Sequence, residues 1–399
     1  MRLKRHLERA SEKSADPSGV LLAAFICSAA FFFISSANVF GHDIAADIDP
    51  ELLVGWRTWL HLTIQWTHLV GFALWFGLIV GTLLLKITPG LDRLLYGSWA
   101  LFLLMLATGS YNMEYSAGIP EVPSLFLLPL LARIPYGETY TIVLAVKVGL
   151  YTLSVLITLL ATLLHVSRRI PEARLTRYFL ISQSSLAATI ALITAILLFY
   201  HEVADLWPTA IHSLGGVVGP EGPRGQAIIN PNLPPPNDFR LLASSAAWID
   251  IGLRWIHLMG FGLWLGGSAA ALVLGPTLPA RFMSVHWTAL GLQIVSGVAS
   301  MVRWTPFYIA PYLWNLHELS HVRFGKNYAL FMSAKHTLVL VAVSLAMLVT
   351  FRLGKLREDK PAARSAMNFL AVASLLLGLT IAYVMMIVLL LHEAVDHAL

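Results

Sequence analysis

Four histidines lie inside long apolar runs and fall into two matched pairs: His68 with His257, and His201 with His392. The stretch from Trp66 to Gly77 returns 189 residues later as Trp255 to Gly266. It keeps Trp66/Trp255, His68/His257, Leu69/Leu258, Gly71/Gly260, Phe72/Phe261, Leu74/Leu263, Trp75/Trp264 and Gly77/Gly266. A neutral imidazole offers a nitrogen lone pair to a metal or a proton. Ionisable side chains buried at membrane depth are costly and are functional candidates by default. One such histidine ordinarily does no more than hydrogen-bond to a neighbouring helix. A pair kept twice at matched depth points further, to chemistry.

The repetition extends past this stretch. Trp99, Gly109 and Met113 recur as Trp287, Gly297 and Met301, and Lys147 recurs as Lys335, all at an offset of 188. Tyr136-Gly137 recurs as Phe324-Gly325 at the same offset. His201-Glu202 with Asp205 recurs as His392-Glu393 with Asp396, offset 191. Glu202 and Asp205 are the expected partners of Lys147, and Glu393 and Asp396 those of Lys335.

Two chemistries suit these residues. The first is a b-type haem in each half, with His68 and His201 as one axial pair and His257 and His392 as the other. Gly71, Gly109, Gly260 and Gly297 would let the macrocycle approach the backbone. Arg57, Arg254, Arg303, Lys147 and Lys335 could meet the propionates. The second is copper, since Cu(I) accepts imidazole and thioether. The sets are then His68, Met113 and His201, and His257, Met301 and His392, with His42, His61, His317, His321 and His397 gathering ions outside. Imidazole serves both metals, so the residues alone leave the choice open.

Other motifs carry less. His317-Glu318-Leu319-Ser320-His321 matches the zinc-protease pattern, but it lies in a short outer segment and reads as a peripheral metal site or a polar loop. The counterpart of His61 is Asp250, so His61 stands outside the repeated core. His336 follows Lys335 and could line a proton or ion path. His6, His165, His212 and His286 read as structural or solvated.

The elements that must hold these groups follow from composition. The chain is 57% hydrophobic and 12% charged, with apolar runs long enough to cross a bilayer. The reading is an all-α integral membrane protein with nine transmembrane helices: one N-terminal helix plus two tandem four-helix bundles related by internal duplication. Spans are expected near 18–40, 56–86, 94–117, 138–166, 176–206, 242–275, 282–305, 326–353 and 365–396. Residues 1–55 form a tail, first helix and connector. Residues 56–206 form the first repeat, 207–240 a Gly/Pro-rich outer linker, and 241–399 the second repeat. The segments 114–137 and 303–325 lie along the outer interface.

Basic residues orient the chain. Arg2, Lys4, Arg5, Arg9 and Lys13 precede the first span; Arg168, Arg169, Arg174 and Arg177 share a loop with no outer counterpart, as do Arg352, Lys355, Arg357, Lys360 and Arg364. The positive-inside rule puts the N-terminus in the cytoplasm and the C-terminus outside. The net charge of +5 is met by anionic lipid headgroups and calls for no nucleic acid. The span 18–40 reads as an uncleaved anchor despite the small residues Ser35-Ser36-Ala37. Cys27 is the only cysteine, so disulfides and thiolate metal centres are excluded.

The motifs resemble the copper-resistance D family of bacterial inner-membrane proteins. The resemblance rests on the segments around His68 and His257, on Gly109 and Gly297, and on the Tyr-Gly or Phe-Gly ahead of the intramembrane lysine. Each half matches, so it covers most of 56–396, and it implies copper uptake or tolerance in the bacterial cytoplasmic membrane. Two features depart from it. The fourth helix of each half ends in His-Glu-x-x-x-Asp, and there is no dense methionine cluster. The extra imidazoles favour haem over copper carriage. The expectation is therefore a di-haem electron-transfer subunit whose partners are a quinol or membrane redox enzyme and an external electron carrier. The alternatives are copper import or resistance with an external copper carrier, and a structural subunit of a membrane complex.

Overall fold

The structure, a computed structural model, describes residues 53, 55–87, 89–114, 136–205, 242–274, 281–303, 325–356 and 360–396. The expected first span and its small-residue site, the 207–240 linker and the His317/His321 motif lie outside the described residues. Every long element is helical: α1 Trp56–Leu85, α2 Leu91–Glu114, α3 Gly137–Val166, α4 Glu172–Asp205, α5 Ser245–Leu274, α6 Phe282–Arg303, α7 Gly325–Lys355 and α8 Lys360–Asp396. All eight hold a stretch long and apolar enough to cross a bilayer. They coincide with eight of the nine expected spans to within a few residues.

Packing departs from two separate bundles. α1 pairs with α2 and α3 with α4, as α5 pairs with α6 and α7 with α8. The first helix of each half packs on the fourth helix of the other half, α1 on α8 and α5 on α4, while keeping contact with its own: α1 touches α4, and α5 runs along α8 from its π turn onward. Matched hydrogen bonds fix these contacts between the halves. Trp66 Nε1 donates to Leu379 O at 3.0 Å, and Trp255 Nε1 donates to Ala188 O at 3.0 Å. Within the halves, Trp99 Nε1 donates to Thr162 Oγ1 at 3.2 Å and Trp287 Nε1 to Thr350 Oγ1 at 3.0 Å. Trp59 and Trp248 cap their helices on Leu53 O and Leu242 O, both at 2.6 Å. In hydrocarbon an unpaired indole N–H is expensive, so these bonds fix helix neighbours as well as adding stability.

α1 and α5 cross backbone to backbone. A methyl on Gly77 would collide with the main chain at Gly266, and one on Gly266 with Ala73 O and Gly77. Both helices widen into a single π turn there, Gly77–Gly81 and Gly262–Gly266. Such turns shift the register of the faces below them and recur at functional sites. Around the crossing lies the core, with Leu62, Trp75, Phe76, Ile79, Leu265, Leu379 and Leu391 buried. Leu156, Leu160 and Leu163 on α3, Val295 on α6 and Leu340 and Leu348 on α7 are exposed, the surface that a bilayer would cover.

Candidate functional site

His68 faces α2. Its Nδ1 lies 2.9 Å from Thr108 Oγ1. The single hydroxyl hydrogen of Thr108 is already given to Leu104 O at 2.7 Å. The hydroxyl must therefore accept from the ring, so His68 carries its proton on Nδ1 and leaves the Nε2 lone pair open. The second half repeats this. His257 Nδ1 lies 3.0 Å from Ser296 Oγ, and Ser296 gives its hydrogen to Leu292 O at 2.5 Å. Both half-buried rings are thus held in the tautomer that a metal ligand needs, with the inner nitrogen anchored and the outer one presented. Gln293 adds a bond from its amide to His257 O.

Glycine makes this fit. A Cβ on Gly109 would stand 3.1 Å from His68 Cε1, and one on Gly297 3.3 Å from His257 Cε1. Gly71 abuts Met105 and Leu104, and Gly260 abuts Gln293 and Leu292. These four glycines were expected to give a macrocycle access to the backbone. In this structure Met105, Leu104, Gln293, Leu292 and the two histidine rings lie against these positions, where α2 meets α1 and α6 meets α5.

Lys147 on α3 lies within electrostatic reach of His68, and Lys335 on α7 within reach of His257. Tyr151, one turn beyond Lys147, donates to Phe102 O at 2.5 Å and ties α3 to α2 at this level. Lys335 Nζ points at Met385 Sδ, 3.8 Å away. The side chains of Glu202, Asp205, Glu393 and Asp396, the expected lysine partners, lie outside the described residues.

The second histidines stand elsewhere. His201 follows Tyr200, whose ring meets Tyr136 at a centroid distance of 6.2 Å. Tyr136 precedes Lys147 by eleven residues, so the fold sets His201 roughly 15 Å nearer the helix end than the His68–Lys147 level. His392 follows Met385 by seven residues, which places its backbone roughly 10 Å beyond Lys335; its side chain lies outside the described residues. The fold therefore brings together His68, Thr108, Gly109 and Lys147, and His257, Ser296, Gly297 and Lys335, and does not bring His201 to the level of His68. Met113 packs in the outer aromatic cluster with Tyr136 and Tyr200; the Met301 side chain lies outside the described residues. Among the described residues no group of three His, Cys, Asp or Glu side chains could hold a metal ion.

Arg254 is half-buried one turn before His257, Arg57 covers the exposed Trp56 ring at 5.7 Å, and the Arg303 side chain lies outside the described residues. His336 bonds through Nδ1 to Met332 O at 2.7 Å, within its own helix. His165 pairs with Asp92 at 2.7 Å at the opposite end of the bundle. For His286, expected to be structural or solvated, burial excludes the second. It is 3% exposed, packs on Phe282, and has no hydrogen-bond partner on either ring nitrogen among the described residues. Thr108 and Ser296 are the residues that motif reading missed. Their signal was present, a hydroxyl residue directly before each repeated glycine at the same offset of 188.

Comparison with protein-family models, with curated proteins and with solved structures gives no match to this chain.

Proposed function

We propose that this is an internally duplicated, nine-span protein of the bacterial cytoplasmic membrane that binds one b-type haem in each half and serves electron transfer. One observation carries the reading: Thr108 and Ser296 spend their hydroxyl hydrogens on backbone carbonyls, which fixes Nδ1–H on His68 and His257 and presents Nε2 to an acceptor of lone pairs. The matched hydrogen bonds of the two halves, including the reciprocal contacts of α1 with α8 and of α5 with α4, support duplication about a pseudo-twofold axis. The N-terminus faces the cytoplasm and the site end of each helix faces outward.

Lys147 and Lys335 bear on the choice between metals. A bare copper ion beside a lysine cation is repelled, and two unit charges roughly 7 Å apart at an effective dielectric near 20 cost about 2 kcal/mol. A porphyrin brings two propionates, which those cations attract. In this reading His68 and His257 would ligate the iron, and Thr108 and Ser296 would orient them. Lys147, Lys335 and Arg254 would meet the carboxylates. A haem held there supplies a one-electron couple. His201 and His392 belong to the outer end, where a quinol or membrane redox enzyme and an external carrier would dock. Copper handling through the same histidines, as the resemblance to the copper-resistance D family implies, is the second reading. It is favoured by one observation, the Met385 thioether beside Lys335.

Haem content of the purified chain tests the choice. His68→Ala and His257→Ala should each remove about half of the bound haem, and the double variant nearly all of it, with the helical fold retained. Full haem content in the double variant would refute the ligand assignment.

A further inference from the structure

Inward of the lysine level the two halves stop resembling each other. Along α3, Lys147, Tyr151, Ser154, Thr158, Thr162 and His165 follow one another at steps of three or four residues. They therefore share one face of the helix, from the His68 level to its inner end. The matched positions of α7 hold Lys335, Val339, Ala342, Ala346, Thr350 and Leu353. A polar face thus runs through the inner half of the first repeat and is interrupted in the second. It is turned towards protein: Ser154 and Thr158 are buried, while Leu156, Leu160 and Leu163 on the other side of α3 are exposed. Neighbouring helices meet it at each level. Tyr151 donates to Phe102 O, Gln183 of α4 donates to Ser154 O at 2.9 Å and to Thr158 Oγ1 at 3.1 Å, and Trp99 of α2 donates to Thr162 Oγ1. At the inner end, beside Arg168 and Arg169, His165 pairs with the exposed Asp92.

Midway along this face three polar atoms converge. Ser98 stands one turn inward from Phe102 on α2, as Ser154 stands one turn inward from Tyr151 on α3, so the bond from Tyr151 to Phe102 sets the two serines at one level. Gln183 reaches that level from α4. All three side chains are fully buried, yet Ser98 Oγ, Ser154 Oγ and Gln183 Oε1 have no hydrogen-bond partner among the described residues. Such atoms are expensive to leave unpaired in an apolar interior. Water suits the set, because it can donate to the amide oxygen and exchange hydrogen bonds of either sense with the hydroxyls. An ion does not: 94–102, 150–162 and 179–187 hold no charged residue to balance one. We propose that bound water occupies this seam in the first half alone and is the route by which water and protons from the inner side reach the level of Lys147. A proton taken up at the inner end shifts one hydrogen from each oxygen to the next, and one is released at the far end, so the chain itself is unchanged. In the second half His286 and Ser374 stand at the places of Ser98 and Gln183. Val339, Ala342 and Ala346 interrupt the chain there, and Leu353 with Ala280 replaces the pair of His165 with Asp92. The two histidine sites are therefore unequal, since only the first has aqueous contact on its inner side. This inference does not depend on the metal group at His68.

The test is hydrogen–deuterium exchange at the Gln183 side-chain amide, followed by NMR on the isotope-labelled full chain in lipid nanodiscs. Its signals are identified as those missing from Gln183→Leu. The reference is the Trp66 indole N–H, likewise buried and bonded to Leu379 O. Each rate is taken relative to the same group in free solution. The expected result for wild type is weak protection at Gln183 and strong protection at Trp66. The double variant Ser98→Ala/Ser154→Ala keeps both bonds that Gln183 donates and removes the two hydroxyls, so protection at Gln183 should rise to that of Trp66. Ser98→Ala alone leaves α3 and α4 untouched and should give an intermediate rise, which carries the comparison if the double variant fails to fold. Wild-type protection at Gln183 as strong as at Trp66 overturns the inference. Weak protection that persists in the variants overturns it as well.

Discussion

Replacing Thr108 with valine removes one hydroxyl and keeps the side-chain volume. In the structure that hydroxyl accepts from His68 Nδ1 at 2.9 Å while donating to Leu104 O. Without it the buried ring N–H has no acceptor, at a cost of about 1–3 kcal/mol. The ring can avoid that cost by moving its proton to Nε2, and the ligand lone pair is then lost. Either way the loss falls on metal-group binding, since roughly 1.4 kcal/mol is tenfold. The expected weakening is about 5- to 150-fold, which brackets the roughly 10- to 100-fold seen when a partner that orients a ligating histidine is removed. The assay is haem titration of the apoprotein followed by absorbance. Ser296 holds the second site unchanged, so Thr108→Val should give one weak and one strong phase. Thr108→Ser should bind as wild type, because it keeps the hydroxyl. A Thr108→Val protein with two strong phases would refute the argument that the hydroxyl sets the tautomer.

Three further outcomes follow from the packing. Gly77→Leu or Gly266→Leu would force the α1–α5 backbones apart, and either should destabilise the detergent-solubilised chain by about 3 kcal/mol or more, read as a lower thermal midpoint. Gly109→Ala and Gly297→Ala should each weaken binding at their own site, since the added carbon meets the histidine ring at 3.1 Å and 3.3 Å; unchanged haem titration in both would count against the ring placement. Gln183 is fully buried and donates to Ser154 O and Thr158 Oγ1. Gln183→Leu should cost about 1 kcal/mol, measured as a shift in thermal midpoint, with haem binding unchanged.

Much of this architecture was readable because the repeated sequence pattern states its constraints twice. The eight described helices follow from apolar length alone, and the convergence of His68 with Lys147 and of His257 with Lys335 follows from matched offsets and depth. What escaped was lateral and rotational. Helix length says nothing about which neighbour a helix chooses, so the contacts of α1 and α5 with the other half appear only in the bonds from Trp66 to Leu379 and from Trp255 to Ala188. The repeated glycines were legible as close-contact positions, but that the histidine ring lies against Gly109 and Gly297 is seen only in the structure. His201 was expected beside His68 because both are outer-half histidines. Tyr136 and Tyr200 show that the end of α4 aligns with the start of α3, well above Lys147.

The central claim is that the two histidine sites hold haem rather than copper. The most direct measurement is the absorption spectrum of the purified chain, oxidised and then reduced with dithionite, with iron and copper determined on the same sample. A sharp α-band on reduction, with iron near two per chain and little copper, is the predicted result. A featureless visible spectrum with copper bound and no iron would contradict it.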